Sequence, residues 1–388
     1  MKSKKEICII TGTRAEYGLI SNVINEIKNS NYLSMKLVVT GTHLSPEFGL
    51  TIKEIQQNDH YIDKKVDILL SGNSKGSINK SIALGIIGFS DAFEALKPDL
   101  ILILGDRFEI LSAAVAAMVL NIPIAHIHGG EVTEGAIDDS IRHSLTKLSH
   151  IHFVAAELYK KRVVQLGEDP KRVFNVGGLG LDSIKNLKLL NKKQLENLFD
   201  FSFTKKTFLV TLHPETISDY STNYQINCLL EALRNFKNLN FIFTLPNADA
   251  ESNFIKKAII NYCNSSQNSR FYSSLGHINY LSFLKYCDGV IGNSSSGIIE
   301  APFFKKGTIN IGNRQKGRLR SKSIIDCEFD SSSISKGIKK ALSKEFQENL
   351  NNVHNHYGAG GASKKIIKVM EDIKLEKINK KTFFDINY

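Results

Sequence analysis

Apolar residues along the chain come in short β-branched runs that alternate with longer stretches of helical spacing. Residues 6–11 (EICIIT) form the first run, which breaks at Thr11-Gly12-Thr13-Arg14. Residues 16–29 then carry Tyr17, Ile20, Val23, Ile24 and Ile27 at spacings that put them on one face of a helix. The alternation continues, with strands predicted at 36–40, 100–104, 122–127, 151–154 and 171–176. Helices are predicted between them at 81–96, 108–120, 138–148 and 156–166, with Pro98 stopping the first of these. The stretch 43–80 is polar and irregular, and 70–77 (LSGNSKGS) reads as a mobile loop. A second series opens after the lysine- and asparagine-rich stretch 185–193, which reads as a linker. Its strands fall at 207–211, 239–244, 269–272, 289–291 and 308–311, its helices at 223–236, 254–262 and 279–287, with another beginning at 298–302. A last helical stretch covers 362–373. Strands alternating with helices predict parallel sheets covered on both faces. Two such series predict two doubly wound α/β domains, each with its own core, and a cleft between them.

Composition narrows the class. With 42% apolar and 23% charged residues, the 388-residue chain has the make-up of a soluble globular protein. No run approaches the roughly 18 apolar residues of a membrane span, so no membrane partner is expected. The basic start MKSKKEICII loses its apolar run at Thr11, too early for a signal peptide, and the cytoplasm is the expected compartment. The net charge of +11 gathers partly near the C-terminus, in Lys364, Lys365, Lys368, Lys374, Lys377, Lys380 and Lys381. These lysines alternate with acids and apolar residues and accompany no nucleic-acid motif, which favours solvated helix faces over nucleic-acid binding. An anionic small substrate is compatible with the same charge. The five cysteines are odd in number, scattered and without a CxxC, so neither disulfides nor a zinc site is expected.

Chemistry concentrates where apolar runs end. The run 100–104 meets Gly105-Asp106-Arg107, the run 122–127 meets His128-Gly129-Gly130-Glu131, and Asp138-Asp139 opens a helix carrying Arg142 and His143. Ligands of open α/β sheets sit outside the carboxyl ends of the strands, so these groups would face one crevice. Clustered acids whose pKa values split provide one acid and one base, which makes Asp106, Glu131 and Asp138 the sharpest candidate set. Arg107 and Arg142 would otherwise pair with them as structural salt bridges, and Asp139 reads as a capping or solvated acid. His126 and His128, two apart on a strand, would share a face, but no metal-ligand spacing accompanies them. Elsewhere, the Gly12-Thr13-Arg14 turn offers amides and a guanidinium to an anion. Residues 292–297 (GNSSSG), between a strand and a helix, offer hydroxyl and amide donors to a phosphate without matching a P-loop. His213, at the end of a strand in the second series, is placed to touch a phosphate or move a proton.

The motifs GTRAEYG, LGDRFE, HIHGGEV with DDSIRH, TLHPE, LPNAD, GNSSSGIIEAP and GNRQKGR run in order from residue 12 to residue 318. Together they resemble the hydrolysing UDP-N-acetylglucosamine 2-epimerases, the bacterial sialic-acid-pathway enzymes and the epimerase half of the bifunctional animal enzyme. The resemblance implies a GT-B-like pair of Rossmann-type domains, 1–184 and 185–373, with a C-terminal helix at about 374–388 packing back on the first. It implies loss of UDP and of the C2 proton to give a 2-acetamidoglucal, then hydration with inverted configuration at C2, yielding N-acetylmannosamine. Carried over motif by motif, Asp106, Glu131, Asp138 and His213 take catalytic positions and Arg142 holds the geometry. Arg14, His43, Asn247, Ser294, Ser295, Ser296, Gly297, Glu300 and Arg314 take substrate-binding positions, with Glu300 on the ribose. The base at C2 is Asp106 or Glu131. No cofactor or metal is implied, and the expected assembly is a homo-oligomer, dimer or tetramer. The GTRAE opening, in place of GTRPE, favours the hydrolysing branch. Some bacterial members act instead on a UDP- or GDP-linked 2,4-diacetamido-2,4,6-trideoxy sugar on the legionaminic acid route, with the same diphosphate motifs. A glycosyltransferase of the same fold is the further alternative, and it leaves the three carboxylates without obvious work.

Overall fold

The apolar runs become the central strands of two parallel sheets in the computed structural model, which describes residues 4–70, 75–133, 137–215, 219–246 and 252–386. Two compact units result, residues 1–183 with 360–388, and residues 184–359. In the first unit the strands are β1 (Lys5–Thr11), β2 (Leu33–Thr40), β3 (Lys64–Val66), β4 (Leu100–Leu104), β5 (Ile124–Ile127), β6 (Ile151–Val154) and β7 (Val173–Asn175). Their order is β3-β2-β1-β4-β5-β6-β7, with every neighbouring pair parallel. Side chains alternate across a strand, and both faces here are covered. Ile7 and Ile9 of β1 therefore join one core with Leu100, Leu102 and Leu104, while Cys8 and Ile10 join the opposite core with Ile101 and Ile103. That double burial is why these strands read as unbroken apolar runs. Strand order reverses between β1 and β4, so the crevice at their carboxyl ends is the natural ligand position in this unit.

The second unit repeats the solution with β8 (Thr207–Thr211), β9 (Asn240–Thr244), β10 (Ser269–Tyr272), β11 (Gly289–Gly292), β12 (Gly307–Ile311) and β13 (Ile324–Cys327). Their order is β10-β9-β8-β11-β12-β13, again parallel throughout, with the reversal between β8 and β11. Sequence pattern gave no elements between 312 and 361, where the structure has β13 and the helices Ser331–Leu342 and Lys344–Leu350. β13 is an edge strand with alternating exposure, and the first helix opens on three serines capped by Asp330, a composition that reads as loop. The helix Lys75–Leu96 starts earlier than expected, inside the segment 70–77; residues 71–74 of that segment lie outside the described residues.

The return of the chain to the first unit differs from expectation. It begins at Gly360, not near 374, and its helix is Ala362–Asp372; among the described residues 374–386 contain no helix. The apolar stripe Ile366, Ile367 and Met370 packs into the core with Ile20, Val23 and Ile27 of the helix Arg14–Lys28. Both ends of the returning helix are capped by the first unit. Asp182 accepts from the amides of Gly361 (2.6 Å), Ala362 (2.8 Å) and Ser363 (2.6 Å), while the Lys5 ammonium donates to the carbonyls of Met370, Glu371 and Ile373. Beyond it, Lys381 is not a solvated lysine. Its Nζ lies 2.9 Å from the buried Glu168, which also holds Lys147 and His152. All five cysteines are buried and free. Among the described residues, no helix is long and apolar enough to cross a membrane.

Burial lowers the pKa of five imidazoles of the first unit: His43, His60 and His150 to about 4, His126 to about 3, and His152 in the same direction. Each binds its proton less readily folded than unfolded, so the stability it contributes is complete above about 6.5 and is lost as pH falls from there towards 4. Glu16, pushed up to about 7 chiefly by burial, works in the opposite sense: its contribution is present below the unfolded carboxylate value and lost as pH rises to 7. Asp138 and Glu300, also held above the ordinary carboxylate range by burial, act in the same sense as Glu16, and five groups outweigh three. Calorimetry at pH 5 should therefore give an unfolding midpoint roughly 5–10 °C below that at pH 7; an unchanged midpoint would contradict this account.

Candidate active site

The site in the first unit is built around a guanidinium. β4 ends at Leu104, Gly105 turns with φ +85°, and Asp106 is presented beyond the sheet edge. Arg142, on the helix Ile137–Leu148, is 5% exposed and pairs with Asp106 through Nη2. The same guanidinium donates to the Glu131 carbonyl (2.9 Å), the Asp139 carboxylate (3.1 Å) and the Thr133 hydroxyl (2.9 Å). Asp139 also accepts the Thr133 amide at 2.7 Å and lies 3.4 Å from His143 Nε2. The Glu131 side chain turns to His128, with Oε1 2.8 Å from Nδ1. Asp138 is half-buried, and its carboxyl is held above the ordinary carboxylate range, first by burial and then by the charge of Asp106. Arg107 and Arg142 oppose that rise without cancelling it.

Rigid packing fixes these groups. The alternation that would put His126 and His128 on one face ends at Ile127, because His128 takes a left-handed backbone with φ 70°. His126 is fully buried and donates Nε2–H to the Gly105 carbonyl at 2.7 Å, tying β5 to the turn that carries Asp106. Gly130, with φ +78°, passes so close to the Tyr159 carbonyl that a Cβ would collide with it. Arg107 does not pair with the three acids. It lies across the buried Glu109, with Nε 3.2 Å from Oε2 and Nη2 3.1 Å from Oε1. Among the described residues, no three His, Cys, Asp or Glu side chains converge as a metal site would need.

In the second unit the carboxyl ends of β8, β11 and β12 meet at Asn293. Its Oδ1 accepts the His213 amide (2.7 Å) and its Nδ2 donates to the His213 carbonyl (2.9 Å), a two-point clamp on the backbone that aims this imidazole. The Asn293 carbonyl accepts from Arg314 Nη1 (3.2 Å) and Gln315 Nε2 (2.9 Å). Gly292 just before it has φ +130°, and a Cβ there would collide with the Thr211 carbonyl, so the loop requires glycine. Ser294 caps the short helix Ser295–Ile299 by accepting from the Ser296 amide. Gly297 packs against Thr308 of β12, and Thr308 donates its hydroxyl to the Gly297 carbonyl at 2.8 Å. Ser296 donates its hydroxyl to Glu300, whose carboxyl burial pushes up.

The structure thus brings Asp106, Arg142, Asp138 and the Glu131 backbone together in one unit, and His213, Ser294 and Arg314 around Asn293 in the other. Two expected substrate contacts sit differently. His43 is completely buried, with Nε2 3.1 Å from the Thr11 hydroxyl and Nδ1 2.8 Å from Thr51, so both ring nitrogens are engaged inside the core. Arg14 is exposed and ion-paired with Glu54 at 2.8 Å. Asn247 lies outside the described residues. Sequence reasoning passed over Asp139, which is a partner of Arg142 and not a solvated acid, and Asn293, whose signal was a lone amide between a strand-ending glycine and three serines.

The profile of the UDP-N-acetylglucosamine 2-epimerase family matches residues 25–371. The chain belongs to that family. Among its relatives, GDP/UDP-N,N'-diacetylbacillosamine 2-epimerase (hydrolyzing) of Campylobacter jejuni is 48% identical over 386 residues, 99% of this chain and 100% of the relative. Polysialic acid biosynthesis protein P7 of Escherichia coli is 41% identical over 98% of both chains. A Neisseria meningitidis UDP-GlcNAc 2-epimerase, solved bound to UDP-GlcNAc, superposes with a TM-score of 0.79 at 21% identity, covering 94% of this chain and 99% of that one. The last likeness concerns the fold, which is the GT-B-like pair of parallel α/β domains expected from the sequence. For an epimerase of this family the Arg142 fork should be irreplaceable. Arg142→Lys keeps the charge but not the planar set of donors, and should lower turnover of the nucleotide sugar by about a hundredfold or more. Asn293→Ala should destabilise the second unit by about 1–3 kcal/mol in urea unfolding, since it removes both hydrogen bonds that Asn293 makes to the His213 backbone.

Proposed function

We propose that this epimerase is of the hydrolysing kind and that its sugar is N,N'-diacetylbacillosamine, a 2,4-diacetamido-2,4,6-trideoxy hexose carried on UDP or GDP. The observation that carries the substrate is the 48% identity, end to end, with an enzyme named for that sugar. The chemistry rests on the acids gathered at the carboxyl ends of β4 and β5. In the first step the C1–O bond breaks and its electron pair leaves with the diphosphate, building positive charge at C1. Asp106, held in place by Arg142, stabilises that charge. Glu131, backed by His128, takes the C2 proton, and a C1–C2 double bond forms. Water then adds: a proton reaches C2 from the opposite side, the water oxygen bonds to C1 as its proton passes to the carboxylate just vacated, and the free 2-epimer results, with the proton on Glu131 lost to solvent. Asp138, whose carboxyl burial holds above the ordinary carboxylate range, delivers the proton to C2.

His213 and Arg314 are proposed to meet the leaving diphosphate with the hydroxyls and amides of Ser294, Ser295, Ser296 and Gly297, and Glu300 to meet the ribose. Arg14 can bind a phosphate on leaving Glu54, since an exposed pair of this kind contributes about 0–1 kcal/mol. The family description itself supports a second reading, in which the sugar is N-acetylglucosamine and the product N-acetylmannosamine.

Proton NMR in deuterated water separates the readings. Incubation with the UDP- and GDP-linked diacetamido sugar should release the nucleotide and the free 2-epimer with deuterium at C2; release from UDP-N-acetylglucosamine alone would leave the second reading standing. A nucleotide-linked epimer, with no free sugar, would sink the hydrolytic mechanism. Asp106→Asn and Glu131→Gln should each cut turnover by about a thousandfold while UDP still binds. Near-normal turnover in either variant would remove that acid from the scheme.

A further inference from the structure

A cavity of about 550 Å³ opens in the first unit, and its lining reaches Arg107 and Phe108 just after Asp106 in the chain. Its wall runs from the turn after β2, through Leu69 and Leu70, across the start of the helix Lys75–Leu96, to those two residues. Its lining includes the apolar side chains of Pro46, Phe48, Leu70, Ile78 and Phe108. Phe48, Leu70 and Ile78 are 51%, 41% and 37% exposed, so three large apolar side chains that folding leaves in water gather around one hollow. Scattered apolar residues on a surface need no explanation, but a concave apolar group of this size, rimmed by polar groups, is how a ligand site is built. The rim here includes Thr42, Glu47 and the buried Ser81.

We infer that this cavity is the specificity pocket for the far end of the hexose, with Phe48, Ile78 and Phe108 receiving the methyl groups of the C4 acetamido group and of C6. The inference rests on the diacetamido reading proposed above. C4 lies across the pyranose ring from C1, so groups on C4 and C6 point away from the leaving diphosphate and from the atoms that react. The wall includes Arg107 and Phe108, which follow Asp106 directly in the chain. The substituents themselves ask for what the cavity offers. Two methyl groups require apolar contact, while the amide between them requires one donor and one acceptor, available from the hydroxyls of Thr42 and Ser81 and from the Glu47 carboxylate. N-acetylglucosamine carries hydroxyls at both positions and leaves the aromatic wall without a partner.

The test is a substrate series measured as kcat/KM: UDP-N,N'-diacetylbacillosamine, UDP-2-acetamido-2,6-dideoxyglucose with a hydroxyl at C4, and UDP-N-acetylglucosamine. In the wild-type enzyme the first should exceed the second by about 10–200-fold, the range for one small apolar group in a fitted pocket. Phe48→Ser and Ile78→Ser should each shrink that ratio by about tenfold, with the Kd for UDP shifted less than about threefold. Preference for the diacetamido sugar that persists undiminished in both variants, with UDP binding intact, would overturn the pocket and leave the proposed function standing. A variant that fails to bind UDP is set aside in favour of the wild-type series, where equal rates on the first two substrates would overturn the pocket directly. Wild-type preference for UDP-N-acetylglucosamine would instead overturn the diacetamido reading, and the pocket with it.

Discussion

A guanidinium buried among carboxylates is the constraint on which the first unit's chemistry depends. Arg142 is almost wholly removed from water, and a charge so placed is tolerated only with anionic partners and satisfied donors. Asp106 and Asp139 supply the charge, the Glu131 carbonyl and the Thr133 hydroxyl the remaining acceptors. Because the donors lie in one rigid plane, they fix three separate pieces of chain against each other: the turn after β4, the loop after β5 and the first turn of the helix that follows. Burial and the neighbouring Asp106 charge, opposed by Arg107 and Arg142, are why the Asp138 carboxyl is held above its ordinary range.

The second unit uses the same sheet to opposite electrostatic effect. Where the first unit ends its strands in acids, the second ends them in amides, hydroxyls, an imidazole and an arginine. Asn293 acts there much as Arg142 does in the first unit, joining separate loops through fixed donor and acceptor geometry. A negative site suits positive charge developing on a sugar ring, and a donor-rich site suits a diphosphate. The division of labour follows from the residues that close each strand, since the two sheets are otherwise built alike.

Substrate choice belongs to a part of the chain with no motif. On the proposed reading, the residues that meet a diphosphate serve any nucleotide sugar of the family equally, and the carboxylates act at C1 and C2, which all such sugars share. The proposed contacts to groups at C4 and C6 come from residues 45–48, 69–70 and 77–81, in a part of the chain whose polar, irregular sequence carries no periodic pattern. Its functional content is a shape, formed when the turn after β2 and the start of a long helix close on Phe108.

Local pattern along the chain was enough for the fold class and for where the polar clusters would stand. Both are local properties: a strand buried on two faces must be apolar throughout, as Leu100–Leu104 is, and a polar cluster directly after it must stand at the sheet's carboxyl edge. Legible for the same reason were Asp106, Glu131, Asp138, Arg142 and His213 as a set worth examining. Tertiary structure alone decided their partners. Arg142 chose Asp106 and Asp139, Arg107 chose Glu109, and His43 turned inward to Thr11 and Thr51, because pairing depends on which loops a sheet order brings side by side. The course of the C-terminal helix was equally hidden. Ala362–Asp372 shows its apolar stripe in sequence, but that the stripe covers the first unit and not the second was settled by Asp182 and Lys5, which cap its two ends from nearly 180 and over 360 residues away. Pattern along a chain fixes what each element buries; only the folded packing fixes against what.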